Sequence, residues 1–152
     1  MIFNYNDGGR AEAGFKGFTG DCAVRAISIA TNIPYSKVYD DVTVMLKEFA
    51  LTKTSKKYGL FGSSTSVRNG VPREVIDKFF TSIGWKWVPT MFFGKGCQVH
   101  LTESELPKGN LVVNLSKHVA AVVDGVLNDT HDCSRGGTRC VYGYWVRGEY
   151  GK

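Results

Sequence analysis

The chain has 152 residues, 43% hydrophobic and 12% aromatic, enough for one core of ordinary size and too few for two, so residues 1–152 are expected to form a single domain. No run approaches the roughly 18 consecutive apolar residues that span a bilayer, and the polar, Gly-rich first ten residues do not read as an export signal; no membrane partner and a cytoplasmic location are expected. The net charge of +5 raises the question of nucleic acid, but the densest cations, Lys53, Lys56 and Lys57, read as a solvated loop, which argues against that partner. Without a secretory context the four cysteines, Cys22, Cys97, Cys133 and Cys140, are expected to be free thiols.

A short strand over 2–5 leads into a Gly-rich loop, in which Gly8-Gly9-Arg10 reads as a turn. From 22 to 30, Ala23, Ala26, Ile27 and Ala30 recur at helical spacing, with Asp21 placed to cap the free amides and Asn32-Ile33-Pro34 ending the run. Ser36 can cap a second helix striped by Val38, Val42, Met45, Leu46 and Phe49. The polar stretch over 51–71 has no period, and Pro72 opens a third helix over 72–83 that Gly84 ends. Strand patterns follow over 85–88, 98–101, 111–115, 118–123, 126–130 and 140–146, with a helical turn over 102–106 boxed by Thr102 and Glu105. Helices first and an antiparallel sheet second make the class α+β. Trp85, Trp87, Phe92 and Phe93 read as core packing with one exposed rim.

Cys22 is a candidate nucleophile, because unpaired amides and the dipole at a helix start favour the thiolate. A nucleophilic thiol needs a base and the base an orienting acceptor. Asp124-Gly125 is a two-residue hairpin signal that pairs Val123 with Val126, and counting back places His118, Ala120, Asp129 and His131 on one face. A three-residue turn would instead bring Asn128 and Asp132 to the histidine. The small Ala120 is expected to leave space for the helix that carries Cys22. Each residue alone is more often structural; the ordered set is what points to chemistry. His131, Asp132, Cys133 and Cys140 lack a Cys-x-x-Cys pair, and no metal or other cofactor is expected.

Gly20-Asp21-Cys22-Ala23-Val24-Arg25-Ala26 resembles the nucleophile segment of papain-like cysteine peptidases, and His118-Val119-Ala120-Ala121-Val122-Val123 followed by Asn128-Asp129-Thr130 resembles their histidine hairpin. Over most of 15–147 the order of elements is similar to bacteriocin-leader peptidases and to small papain-like proteins of phages and bacteria. The resemblance implies a central helix beginning at the cysteine and packed on an antiparallel sheet, and a protein or peptide substrate met in the cytoplasm, the host's if the chain is phage-encoded. It implies that Cys22 attacks an acyl carbon, His118 carries the proton and Asp129 fixes the imidazole, for hydrolysis, transfer or deamidation. Family members usually place a Gln or Asn shortly before the cysteine as oxyanion donor. Residues 15–21 contain neither, leaving Lys16 and Thr19, or the distant Asn4 and Asn6, beside the Cys22 N–H. That gap motivates a second reading, a papain-like scaffold that binds or inhibits without cutting; the charge motivates a third, a basic nucleic-acid-binding module.

Overall fold

A computed structural model describes residues 1–15, 20–51, 66–67 and 70–148. Lys16, Thr19, Lys53, Lys56 and Lys57 lie outside the described residues. Among those described, three helices pack on a mostly antiparallel sheet, an α+β arrangement.

Helix α1, Cys22–Thr31, buries Ala23, Ala26, Ile27 and Ala30 as their spacing implies, but Val24, Arg25 and Ser28 are buried too. Its burial exceeds one stripe because α1 lies between the sheet and α2, Tyr35–Ala50. Asn32 ends α1 in the left-handed conformation (φ 62°), its N–H returning to the Ser28 carbonyl. Asp21 does not cap the helix with its side chain; its carboxylate turns to Arg25 and to the Tyr35 hydroxyl. Nor does Ser36 cap α2: the extended Pro34 (φ −53°, ψ 143°) sets the first turn, and its carbonyl accepts from the Val38 N–H. Helix α3, Arg73–Ser82, follows Pro72 and buries Val75, Ile76, Phe79 and Phe80. No described helix is long and apolar enough to cross a membrane.

The strands are β1 (Phe3–Tyr5), β2 (Trp85–Pro89), β3 (Met91–Phe92), β4 (Gly96–Cys97), β5 (Val99–His100), β6 (Asn110–Leu115), β7 (His118–Val123), β8 (Val126–Asp129), β9 (Cys140–Val141) and β10 (Gly143–Arg147). Six form one sheet in the order β1-β8-β7-β6-β10-β2, with β1 parallel to β8 and the other neighbours antiparallel. Asp124 (φ 49°) and Gly125 (φ 82°) form the two-residue turn, and Val123 pairs with Val126, Val122 with Leu127 and Ala121 with Asn128. The strand pattern over 98–101 shrinks to β5, and that over 140–146 divides into β9, paired with β5, and β10, paired with β6 and β2. The capping box of Thr102 and Glu105 does not form; Glu105 Oε1 accepts instead from the His100 N–H at 3.0 Å.

Free thiols are found at Cys22 and Cys133, whereas Cys97 and Cys140 are bonded to each other. Pairing of β5 with β9 brings their Cα atoms to 5.8 Å across a separation of 43 residues, a contact with no local signature in the sequence.

The sheet divides two apolar clusters. Val112, Val119, Ala121 and Trp145 join the helical stripes on one face, and Leu111, Val113, Ala120, Val122 and Leu127 fill the other. The expected space for α1 above Ala120 is therefore on the wrong face: Val119 and Ala121 receive the helix. Alternation assigned the faces of β7 correctly, but nothing local to that strand says which face a helix will cover.

Candidate active site

Cys22 is the first residue of α1, where backbone amides lack helical partners and the positive end of the helix dipole lies. His118 opens β7 after Lys117 (φ 56°), and Asp129 closes β8. Both therefore stand at strand ends, and His118 lines a cleft together with Cys22. His118 Nε2 and Asp129 Oδ2 lie 2.6 Å apart, and the His118 ring is also a hydrogen-bond and charge partner of the Cys22 thiol. With Nε2 on Asp129, Nδ1 is the nitrogen left for the sulfur. The His131 ring lies beyond the end of β8, outside the paired register, 5.3 Å from His118 between centroids.

Asp129 is almost fully buried and densely held. Its Oδ1 accepts from the Thr130 N–H at 2.7 Å and lies 3.4 Å from Arg25 Nη2; its Oδ2 faces His118, with the Cys133 thiol at 3.6 Å. Asn128, the alternative third member, is engaged elsewhere: its Oδ1 accepts from Asn4 Nδ2 at 2.7 Å and Asn6 Nδ2 at 3.4 Å. Those two asparagines, weighed as oxyanion donors, are thus turned to Asn128.

The charges follow from these contacts. Burial pushes the Cys22 thiol up, but the His118 hydrogen bond and charge, a backbone hydrogen bond from Val119 and the charge of Arg25 together bring it below its ordinary value. Burial opposes a charged His118, yet hydrogen bonds with Asp129, Cys133 and Cys22 raise it to about 11. Asp129 is likewise opposed by burial and held below the usual carboxylate range by the hydrogen bond and charge of His118, the Thr130 amide and Arg25. All three shifts favour a thiolate–imidazolium pair backed by a carboxylate, an arrangement able to attack an acyl carbon.

His118, Asp129 and Cys133 bring donor atoms within 4.8 Å of one another, a set that a soft divalent cation could bridge. The hydrogen bond between His118 and Asp129 accounts for their approach without one. Of the ligands weighed from the sequence, Asp132 accepts from the Ser134 amide and hydroxyl, and Cys140 is in the disulfide.

A cleft of about 270 Å³ opens beside Cys22, lined by Val71, Arg73, Asn114, Lys117 and His118 among others. Clefts of about 460 and 560 Å³ border Asn32 and Ile33, away from the sulfur. Chemistry rather than size selects the smaller one. Asn114 shares the helix-facing side of β6 with Val112, and its side-chain amide makes no hydrogen bond to another described residue. Sequence reasoning passed over both Asn114 and Arg25. The signals were a polar break in Leu111-Val112-Val113-Asn114-Leu115 and the i,i+4 spacing of Asp21 and Arg25. No protein-family model, curated protein or solved structure matches the chain, so the site is read from its own residues.

Proposed function

We propose that the chain is a papain-like thiol hydrolase or acyltransferase acting on a peptide, isopeptide or amide bond, with Cys22 as nucleophile, His118 as base and then acid, and Asp129 as the orienting carboxylate. One observation carries the reading: a single imidazole joins a buried carboxylate at 2.6 Å to a thiol at a helix N-terminus. Cys22 Sγ would add to the carbonyl carbon, and the imidazolium proton would pass to the leaving nitrogen as the C–N bond breaks. Water, or an acceptor amine in transfer, would then release the thioester with His118 taking its proton. The Cys22 N–H is one oxyanion donor, and Asn114 is placed to be another. Arg73 and Lys117 line the described part of the cleft with no carboxylate among its lining residues, which suits an acidic peptide segment.

The test uses an activated ester and mass spectrometry. A covalent acyl group on Cys22, absent in Cys22→Ser and formed about 10²-fold or more slowly in His118→Ala, is the expected result. Labelling of Cys22 that is indifferent to His118→Ala would overturn the reading. The lack of Gln or Asn over 15–21 favours the second reading, a papain-like scaffold that binds or inhibits; ester turnover through Cys22 counts against it.

A further inference from the structure

We propose that Arg25 is a positioning residue: its guanidinium, clamped between Asp21 and Asp129, orients the Asp129 carboxylate toward His118. This rests on the reading of Cys22, His118 and Asp129 as a working triad.

Arg25 lies one helical turn after Cys22, with its side chain only 8% exposed. Nη1 is bonded to Asp21 Oδ1 and Nη2 lies 3.4 Å from Asp129 Oδ1. Asp21, itself fully buried, is anchored in turn: the Tyr35 hydroxyl donates to its Oδ2 at 2.5 Å, and Arg10 Nη1 lies 3.6 Å from its Oδ1. A guanidinium so gripped cannot swing. Turning the Asp129 carboxylate off His118 would break its contact with Arg25 as well as those with Thr130 and Cys133. The helix that presents the sulfur thus also sets the carboxylate that orients its base.

Stability alone gives a weak account of this arrangement. A buried ion pair contributes little beyond well-packed apolar side chains, and Arg25 Nε is buried with no hydrogen-bond partner among the described residues. Among the described residues, the charged and titratable groups facing the site are Arg10 from the N-terminal loop, Asp21, Cys22 and Arg25 from the start of α1, Tyr35 from α2, Arg73 from the start of α3, Lys117 and His118 at the start of β7, Asp129 from β8, and His131 and Cys133 after it.

The experiment follows the pH dependence of Cys22 alkylation by iodoacetamide in the full chain, read peptide by peptide. Wild type is compared with Arg25→Met, Arg25→Lys, Asp129→Asn and the double variant Arg25→Met/Asp129→Asn. Urea midpoints and near-ultraviolet dichroism establish which variants fold. Arg25→Met is expected to lose roughly tenfold in alkylation rate at pH 6 as the thiol returns toward ordinary behaviour, and Arg25→Lys, which keeps the charge but not the fork, to lose less. Because Arg25 also acts on Cys22 through its charge, the double variant is decisive. Positioning through Asp129 predicts a loss well short of the product of the two single losses. Independent, multiplicative losses would overturn the proposal. So would a wild-type profile in folded Arg25→Lys when Asp129→Asn shifts it, the comparison that decides if Arg25→Met does not fold. Should His118→Ala leave the Cys22 profile unmoved, the triad reading itself fails, an outcome separate from either of these.

Discussion

Asn114 pairs across the ladder with Gly143, and the hydrogen in place of a side chain there gives the Trp87 ring its room; any Cβ would collide with the indole. On the ladder Asn114 is flanked by Val119 and Gly143, and it lines the cleft containing Cys22 and His118. Its height along α1 is set from the far end of β6. Asn110, four residues earlier, donates to the Ala30 carbonyl at the C-terminal end of the helix, so Asn114 comes level with the N-terminal end where the oxyanion would form. We expect Asn114→Ala to slow acylation of Cys22 by about 10²-fold, as loss of one oxyanion donor does elsewhere, with the pH profile of Cys22 alkylation unchanged. Stopped-flow kinetics with an activated ester would check this, and an unaltered acylation rate would remove Asn114 from the oxyanion site. Residues differ sharply in how far the sequence discloses them. The approach of His118 to Asp129 was legible because the Asp124-Gly125 turn fixes their register over a dozen residues. Arg25 was not, since an arginine on a helix ordinarily reads as solvated and only the tertiary placement of β8 buries it.

Strands β3 and β4 form a two-stranded arm whose residues are all exposed, with Phe92 and Phe93 at its tip. An isolated hairpin is at best marginally stable in water. The bond from Cys97 to Cys140 ties this arm to β9, and through Thr90, whose hydroxyl donates to the Val141 carbonyl at 2.7 Å, the arm's other end is tied to the same strand. Replacing both cysteines by serine is expected to lower stability by at most about 4 kcal/mol, the loop-closure value for a separation of this length. Hydrogen exchange should rise over 91–97 with the alkylation profile of Cys22 unaltered. Unchanged protection over 91–97 would mean that the arm is held by Thr90 and not by the disulfide. The helices and the β7–β8 hairpin could be read from sequence because their determinants are local: stripe spacing, Pro34, Pro72 and an Asp-Gly turn. The pairing of β5 with β9, and hence the disulfide, could not, because it joins distant segments through two residues each. The break at Tyr142 was hidden for a similar reason, as β9 and β10 on either side of it pair with different and distant strands.

Over the whole molecule, the site makes stability depend on pH in opposed directions. Asp129 is held below its ordinary value, so its contribution is complete above about pH 4 and is lost as pH falls through the lowered folded value. His118 is raised to about 11; its contribution is complete below the unfolded value of about 6.5 and is lost as pH climbs from there toward the folded one. Cys22, lowered on folding, runs the other way: its contribution is complete only above the ordinary thiol value of about 8.5 and is lost as pH falls through the folded value. The thiol and imidazole terms describe one shared interaction and do not add. Cys22→Ser separates them. In that variant Asp129 and Cys133 still hold the imidazolium, so the stability maximum should lie between about pH 4 and 6.5. Wild type should gain on the variant as pH rises toward about 8.5, because the thiolate–imidazolium contact forms in the folded chain before the unfolded thiol ionises. Urea midpoints from pH 3 to 11 for both proteins measure the difference directly. Parallel curves across the neutral range would mean that the thiol and the imidazole do not exchange charge, and the chemistry assigned to Cys22 would lose its electrostatic basis.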